Sequence, residues 1–227
     1  MTKLKNFVRL DFVTVKPYFT AKNLLIYAII AVFLTVMSGN IGSCMGIGLM
    51  LGTLFVSHPF ALSDKSNLDA LYATLSVDRK TVVLGRYLFV LALNLCAIFL
   101  STALAAIGLL VVDISGFATG AGEAIWVAIV LASVFLVIQS IQLPLYFKYG
   151  YAKAKFFSLV PFAALMAGFL AFTTIAKDSE MLAGASGFFE SFIYSGFWTI
   201  PLVALFLLLI LFVSYTLSLK FYLKREF

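Results

Sequence analysis

Charge is rare along this chain, and where it occurs it marks the ends of long apolar runs. Uncharged stretches occupy residues 23–63, 87–112, 124–147, 156–176 and 191–219. As a single helix, residues 23–63 would extend roughly 60 Å, about twice the hydrocarbon thickness of a bilayer. That stretch must therefore cross twice, with Ser38, Gly39 and Asn40 supplying the turn. Each remaining run is long enough for one crossing. The pattern predicts an all-α integral membrane protein with six transmembrane helices near 23–39, 41–60, 87–112, 124–147, 156–176 and 197–219, forming one domain over 23–227. Ahead of it, residues 1–22 interleave Lys3, Lys5, Arg9, Lys16 and Lys22 with Leu4, Phe7, Val8, Leu10, Phe12 and Val13. That mixture predicts a helix lying in the membrane interface, with Pro17 at the bend into the first span. Residues 177–196 are too apolar for a free loop and too charged for a crossing, which predicts a short external or re-entrant helix.

Composition agrees with this reading. The chain of 227 residues is 63% hydrophobic and 11% charged, with a mean hydropathy of +1.09. A soluble domain carries about 25% charged residues. The N-terminal stretch is not expected to be a cleavable signal, because its charges reach Lys22 and the apolar run beyond is too long. Cys44 and Cys96 fall inside apolar runs and read as small buried side chains, not as a disulfide framework.

The loops sort by charge. One side receives residues 1–22, 64–86, 148–155 and 220–227, with 15 of the 16 lysines and arginines; the other receives only Lys177. The excess of basic residues places both termini in the cytoplasm. Asp113, Glu123, Asp178, Glu180 and Glu190 lie on the opposite side. Topology and attraction to anionic lipid account for the net charge of +6, and no nucleic-acid partner is needed.

Several polar positions invite a chemical reading. No acid lies in mid-span and His58 is the sole histidine, so intramembrane proteolysis and metal binding lack their residues. His58, beside Pro59 at the expected end of the second span, reads as an interfacial side chain. Gln139 and Gln142 are three apart and share a helix face, with Pro144 expected to kink the helix or free a carbonyl. Hydrogen bonding between helices and the lining of a translocation path both remain open for this face. Gly42, Gly46, Gly48 and Gly52 form two small-xxx-small pairs that permit close helix packing, within the chain or across a dimer.

The most polar stretch is SDKSNLDALYATLSVDRKTVVLGRY, residues 63–87. Ser66 with Asp69 matches a capping box, and Leu68, Leu71, Tyr72 and Leu75 then recur at helical spacing. A short amphipathic helix is predicted near 66–76. Ser76 can cap the next helix, with Asp78 in its first turn and Arg79, Lys80 and Arg86 at the membrane edge. Its apolar face has to be hidden, either on lipid or on a protein partner.

The stretch FALSDKSNLDALYATLSVDRKTVVLGRYL resembles the segment that joins the second and third spans in the ABC-2 family of transporter permeases, including those of bacitracin-type and phenol-soluble-modulin-type exporters. One departure is LSVDR, where that family commonly has Pro after the Leu. The resemblance implies a type V ABC exporter-like fold, with the short helix as a coupling helix docked on a separate ATP-binding subunit. The matching positions are Asp64, Asn67, Leu68, Asp69, Leu71, Tyr72, Leu75, Asp78, Arg79, Lys80, Arg86 and Tyr87. It also implies two ATPase copies that bind the ATP and Mg, and a second permease as homodimer or sister-permease heterodimer. Location would be a bacterial plasma membrane, and the cargo an amphipathic or hydrophobic peptide or drug-like molecule. The chain has no G-x-x-x-x-G-K-[ST] to cradle nucleotide phosphates, so no cofactor is expected on it and its ATPase must be borrowed. The alternative is an ATP-independent carrier or facilitator, which would ordinarily keep an ionisable residue at membrane depth.

Overall fold

A computed structural model describes residues 2–18, 20–38, 41–66, 68, 72, 78–111, 121–157, 159–164, 167 and 199–225. Every element among them is a helix. Hydrocarbon offers backbone groups no water, so a crossing chain must satisfy them within itself.

Helix α1 covers Thr2–Val15, and a 3-10 turn at Lys16–Tyr18 places Pro17 at the bend before α2, Ala21–Ser38. Then follow α3 (Ile41–Val56), α4 (His58–Ser66), α5 (Arg79–Val111), α6 (Ala121–Phe157) and α7 (Thr199–Leu223). Among the described residues, four segments are long and apolar enough to cross a membrane: Cys44–Ser66, Arg79–Leu104, Ile125–Phe157 and Pro201–Leu223. The apolar part of α2, Ala21–Phe33, is shorter. The expected fifth span lies largely outside the described residues, as does the segment 177–196.

Three boundaries differ from the hydropathy reading. The second span does not end at His58 and Pro59. Helix α3 stops at Val56, the Ser57 hydroxyl donates to the Leu54 carbonyl, and α4 then carries the chain to Ser66. Pro59 sits in the first turn of α4, where its missing N–H breaks no helical bond. Ser66 is the last residue of α4, and the capping box expected of it with Asp69 lies outside the described residues. Helix α5 starts at Arg79, eight residues before the uncharged run. At 33 residues it extends about 50 Å, so its charged first turns and the span are one rod. Asp78 stands at the N-cap position of α5, not within its first turn, and its carbonyl accepts the N–H groups of Thr81 and Val82 at 2.8 and 3.2 Å.

The break in α6 falls at Gly150 instead of at Pro144. Gly150 has φ 72° and ψ 171°, a backbone region essentially reserved for glycine. Pro144 acts differently. With no N–H, it leaves the Ser140 carbonyl without its helical donor, and the Ser214 hydroxyl of α7 donates to that carbonyl at 2.6 Å.

Packing is closest between α3 and α5, and between α6 and α7, with α1 laid against the charged end of α5. A Cβ on Gly48 would collide with the Ser101 and Tyr27 hydroxyls, whereas one on Gly52 would meet Ala97 Cβ at 3.5 Å, an ordinary contact. The 48/52 pair therefore packs within the chain, while Gly46 has nothing near it. Cys44 is buried, donating to the Ser101 carbonyl; Cys96 is exposed, contrary to its expected burial, on a surface that lipid covers. A soft, weakly polar thiol is tolerated on either face. Leu95, Phe99, Phe206 and Phe212 belong to that same apolar exterior.

Candidate functional site

Basic residues and helix ends converge at one end of the bundle, where Arg86, Arg79 and Asp64 each join two or more helices. Asp11 lies fully buried on α1 and pairs with Arg86 of α5, Oδ1 to Nη1 at 2.8 Å. The Arg86 guanidinium also donates to the Pro59 carbonyl and lies over the Phe60 and Phe7 rings, 4.8 and 5.6 Å from their centroids. The second Asp11 oxygen meets no hydrogen-bond donor among the described residues. Burial therefore outweighs the attraction of Arg86 and pushes the Asp11 carboxyl up to about 6.

Arg79 holds the other end of the same junction. Its Nη1 donates to the carbonyls of Tyr222, Leu223 and Arg225 at 3.0, 2.9 and 3.1 Å. These carbonyls lie at and just beyond the end of α7, where Tyr222 also accepts the Arg225 N–H at 3.3 Å, and the negative end of the helix dipole favours a cation there. Asp64 of α4 accepts the backbone N–H groups of Tyr151 and Ala152, capping the short helix that follows the Gly150 break. It also faces Arg225 at 3.5 Å, a half-exposed pair of little energetic weight. A Cβ on Gly150 would approach Asp64 Oδ2 to 2.8 Å, so the close approach also requires glycine.

The residues that the ABC-2 resemblance marks for docking thus divide. Asp64, Arg79 and Arg86 are turned into contacts between helices of this chain. Tyr87 is buried and donates to Ser214, whose own proton goes to the Ser140 carbonyl; Ser218 donates to Tyr87 in turn. Tyr72 is buried edge-on against Phe7 at 5.3 Å, and Leu68 packs partly buried on the same core. Tyr72 is therefore covered by α1, and Leu68 is turned to the core. Asp78 and Lys80 remain exposed. Asn67, Asp69, Leu71 and Leu75 lie outside the described residues, together with the capping position Ser76.

The two glutamines also part company. Gln139 joins three helices: it accepts from Asn94 at 2.6 Å, and its Nε2 donates to Asn94 Oδ1 at 3.0 Å and to Thr53 Oγ1 at 2.9 Å. Thr53 passes its own proton to the Leu49 carbonyl. Gln142, also buried, borders a cavity of about 220 Å³ between α3 and the end of α6. A second crevice of about 410 Å³ runs between α2, α3 and α5, lined by side chains such as Ile30, Leu51, Cys96 and Leu100. His58 stands edge-on to Phe55 at 5.6 Å, and among the described residues no three potential metal ligands cluster.

Sequence reasoning passed over Asp11, Asn94 and Gly150. Asp11 carried a signal: with Phe7 and Val15 it occupies the apolar face of α1 at a spacing of four. An acid on such a face needs a buried cation. Asn94 was visible as an amide amid an apolar run, a natural partner for a glutamine.

A helical bundle with four membrane-length apolar helices and its basic residues gathered at one end defines a multi-pass membrane protein. The profile of the ABC-2 family transporter protein matches residues 6–223, nearly the whole chain. The chain belongs to that family, whose members are permease-type membrane subunits. Permeases of this family generally work with ATP-binding subunits. Neither the curated proteins nor the solved structures contain a match to it.

Proposed function

We propose that this chain is the membrane half of an ATP-driven exporter in a bacterial plasma membrane, of the kind that serves bacitracin-type or phenol-soluble-modulin-type cargo. Its cargo is an amphipathic or hydrophobic peptide or drug-like molecule, in keeping with an interior of hydroxyls and amides and, among the described residues, one buried ion pair. Two ATP-binding subunits, which carry the ATP and Mg, dock on the basic cytoplasmic end, and a second permease completes the path as a homodimer or sister-permease heterodimer.

One observation carries the reading. The described residues in and beside the charged segment hold neighbouring helices: Tyr72 meets Phe7 of α1, Asp64 at the end of α4 caps the helix after Gly150, and Arg79 at the start of α5 holds the end of α7. Force from a docked ATPase has to pass through a rigid element joined to the spans, and Asp78 and Lys80 sit exposed on that element. In the charge reversal Lys80→Glu, at an exposed position, a tagged chain is expected to lose most of an ABC-type ATPase that co-purifies with the parent, with its melting temperature unchanged. Full retention of the ATPase by that variant would remove the docking claim. Transport in liposomes without any ATPase would favour the carrier reading instead.

A further inference from the structure

We infer that the cavity between α3 and the end of α6 is a headgroup subsite for an amphiphile bearing an acidic group. Its use as the place where cargo first leaves the leaflet on the basic side rests on the exporter reading above; the binding itself does not.

The chemistry of the lining carries the inference. One part is polar and cationic: Ser57, Gln142, Tyr151 and Lys155. Another is hydrocarbon: Leu54, Phe156 and Leu159, which are 48%, 67% and 56% exposed and so continue into the lipid-facing surface. A buried amide such as Gln142 is tolerated in hydrocarbon only where polar groups surround it, and this wall gathers Ser57, Tyr151 and Lys155 around the same cavity. Lys155 has a long apolar stem that can lie along the Phe156 ring while its ammonium, 5.0 Å from the centroid, reaches an acidic headgroup at interface depth. The ammonium supplies charge, the amide and hydroxyls supply hydrogen bonds, and the apolar mouth receives a chain.

Size sets the mode of binding. About 220 Å³ is smaller than pockets that engulf a whole ligand, so the cavity takes a headgroup and its first carbons, leaving the chain in lipid. Its wall is also mechanically connected. Tyr151 and Ala152 are held by Asp64 of α4, so a shift of the charged segment moves one side of the cavity.

The test uses the purified chain in nanodiscs of zwitterionic lipid, with a photoactivatable long-chain carboxylate and the uncharged alcohol of the same chain length as probes. The carboxylate is expected to label peptides containing Leu54 or residues 156–159, and to bind at least about tenfold more weakly to Lys155→Gln, the loss of one charge-assisted contact. Lys153→Gln, on an exposed lysine of the same short helix, is expected to bind as the parent does. Adding anionic phospholipid tells the sources apart. Competition assigns the subsite to the bilayer's own headgroups, and no competition assigns it to a free amphiphile. Equal binding of the alcohol, unchanged binding by Lys155→Gln, or labelling spread over the exposed face of α7 would each overturn the inference. Because no ATPase is present, binding here can stand even where the exporter reading fails.

Discussion

Asp11 is the one acid on α1, and it is fully buried against Arg86. Its carboxyl is raised to about 6 from an unfolded value near 4, so the folded chain holds that proton more tightly than the unfolded one. The stabilisation from this group is complete below about pH 4, declines as pH rises to about 6, and is flat above. In Asp11→Asn the side chain keeps an acceptor for Arg86 but cannot ionise. Its melting curves are expected to lack the decline between pH 4 and 6 that the parent shows, with stability at pH 7 no lower than the parent's. A variant that keeps the slope would show that another group causes it. Gln139 is the second residue whose role is clear. Replacing Gln139 with Leu strands the Asn94 amide and is expected to cost about 1–3 kcal/mol, since bonds between membrane helices average well under 1 kcal/mol each but an orphaned buried amide costs more. Adding Asn94→Leu removes the orphan. Thermal denaturation of the two single variants and the double should therefore show a double variant less damaged than the sum of the singles.

Between elements, closeness of approach decides. Gly48 faces the Ser101 and Tyr27 hydroxyls, which are themselves hydrogen-bonded at 2.8 Å, so neither can retreat without losing a partner. Gly48→Ala is expected to lower the melting temperature by several degrees, an effect of about 1–3 kcal/mol from overpacking. Gly52→Ala, where the new methyl meets Ala97 at an ordinary distance, is expected to leave it within a degree or two. The small-residue spacing was legible in the sequence, but not which glycine bears the contact. Inside a bilayer the lipid-facing and protein-facing sides of a helix are both apolar, so hydropathy does not orient it. The same limit hid the partners of Gln139, which lie 45 and 86 positions away on other helices. Caps and breaks were read one step off for a related reason. Asp78 carries a side chain suited to several positions near a helix end, and the Gly150 break is set by its close approach to Asp64, a contact distant in sequence.

For the molecule as a whole, the apolar runs made the helical membrane class plain, and a segment of 29 residues carried the family resemblance that the match over residues 6–223 extends to the chain. What could not be read was the use of that segment's charges. Its Tyr72 faces α1, Leu68 turns to the core and its arginines hold other helices, while Lys65, Asp78 and Lys80 are exposed among the described residues. The central claim is that this exposed edge meets an ATP-binding subunit. It is tested most directly by placing a photo-crosslinking amino acid at position 80 in native membranes, with one at the lipid-facing position 99 as control. The account predicts a single protein adduct from position 80, identified by mass spectrometry as a subunit bearing a G-x-x-x-x-G-K-[ST] phosphate loop, and none from position 99. Adducts with lipid alone, or the same protein captured from both positions, would contradict it.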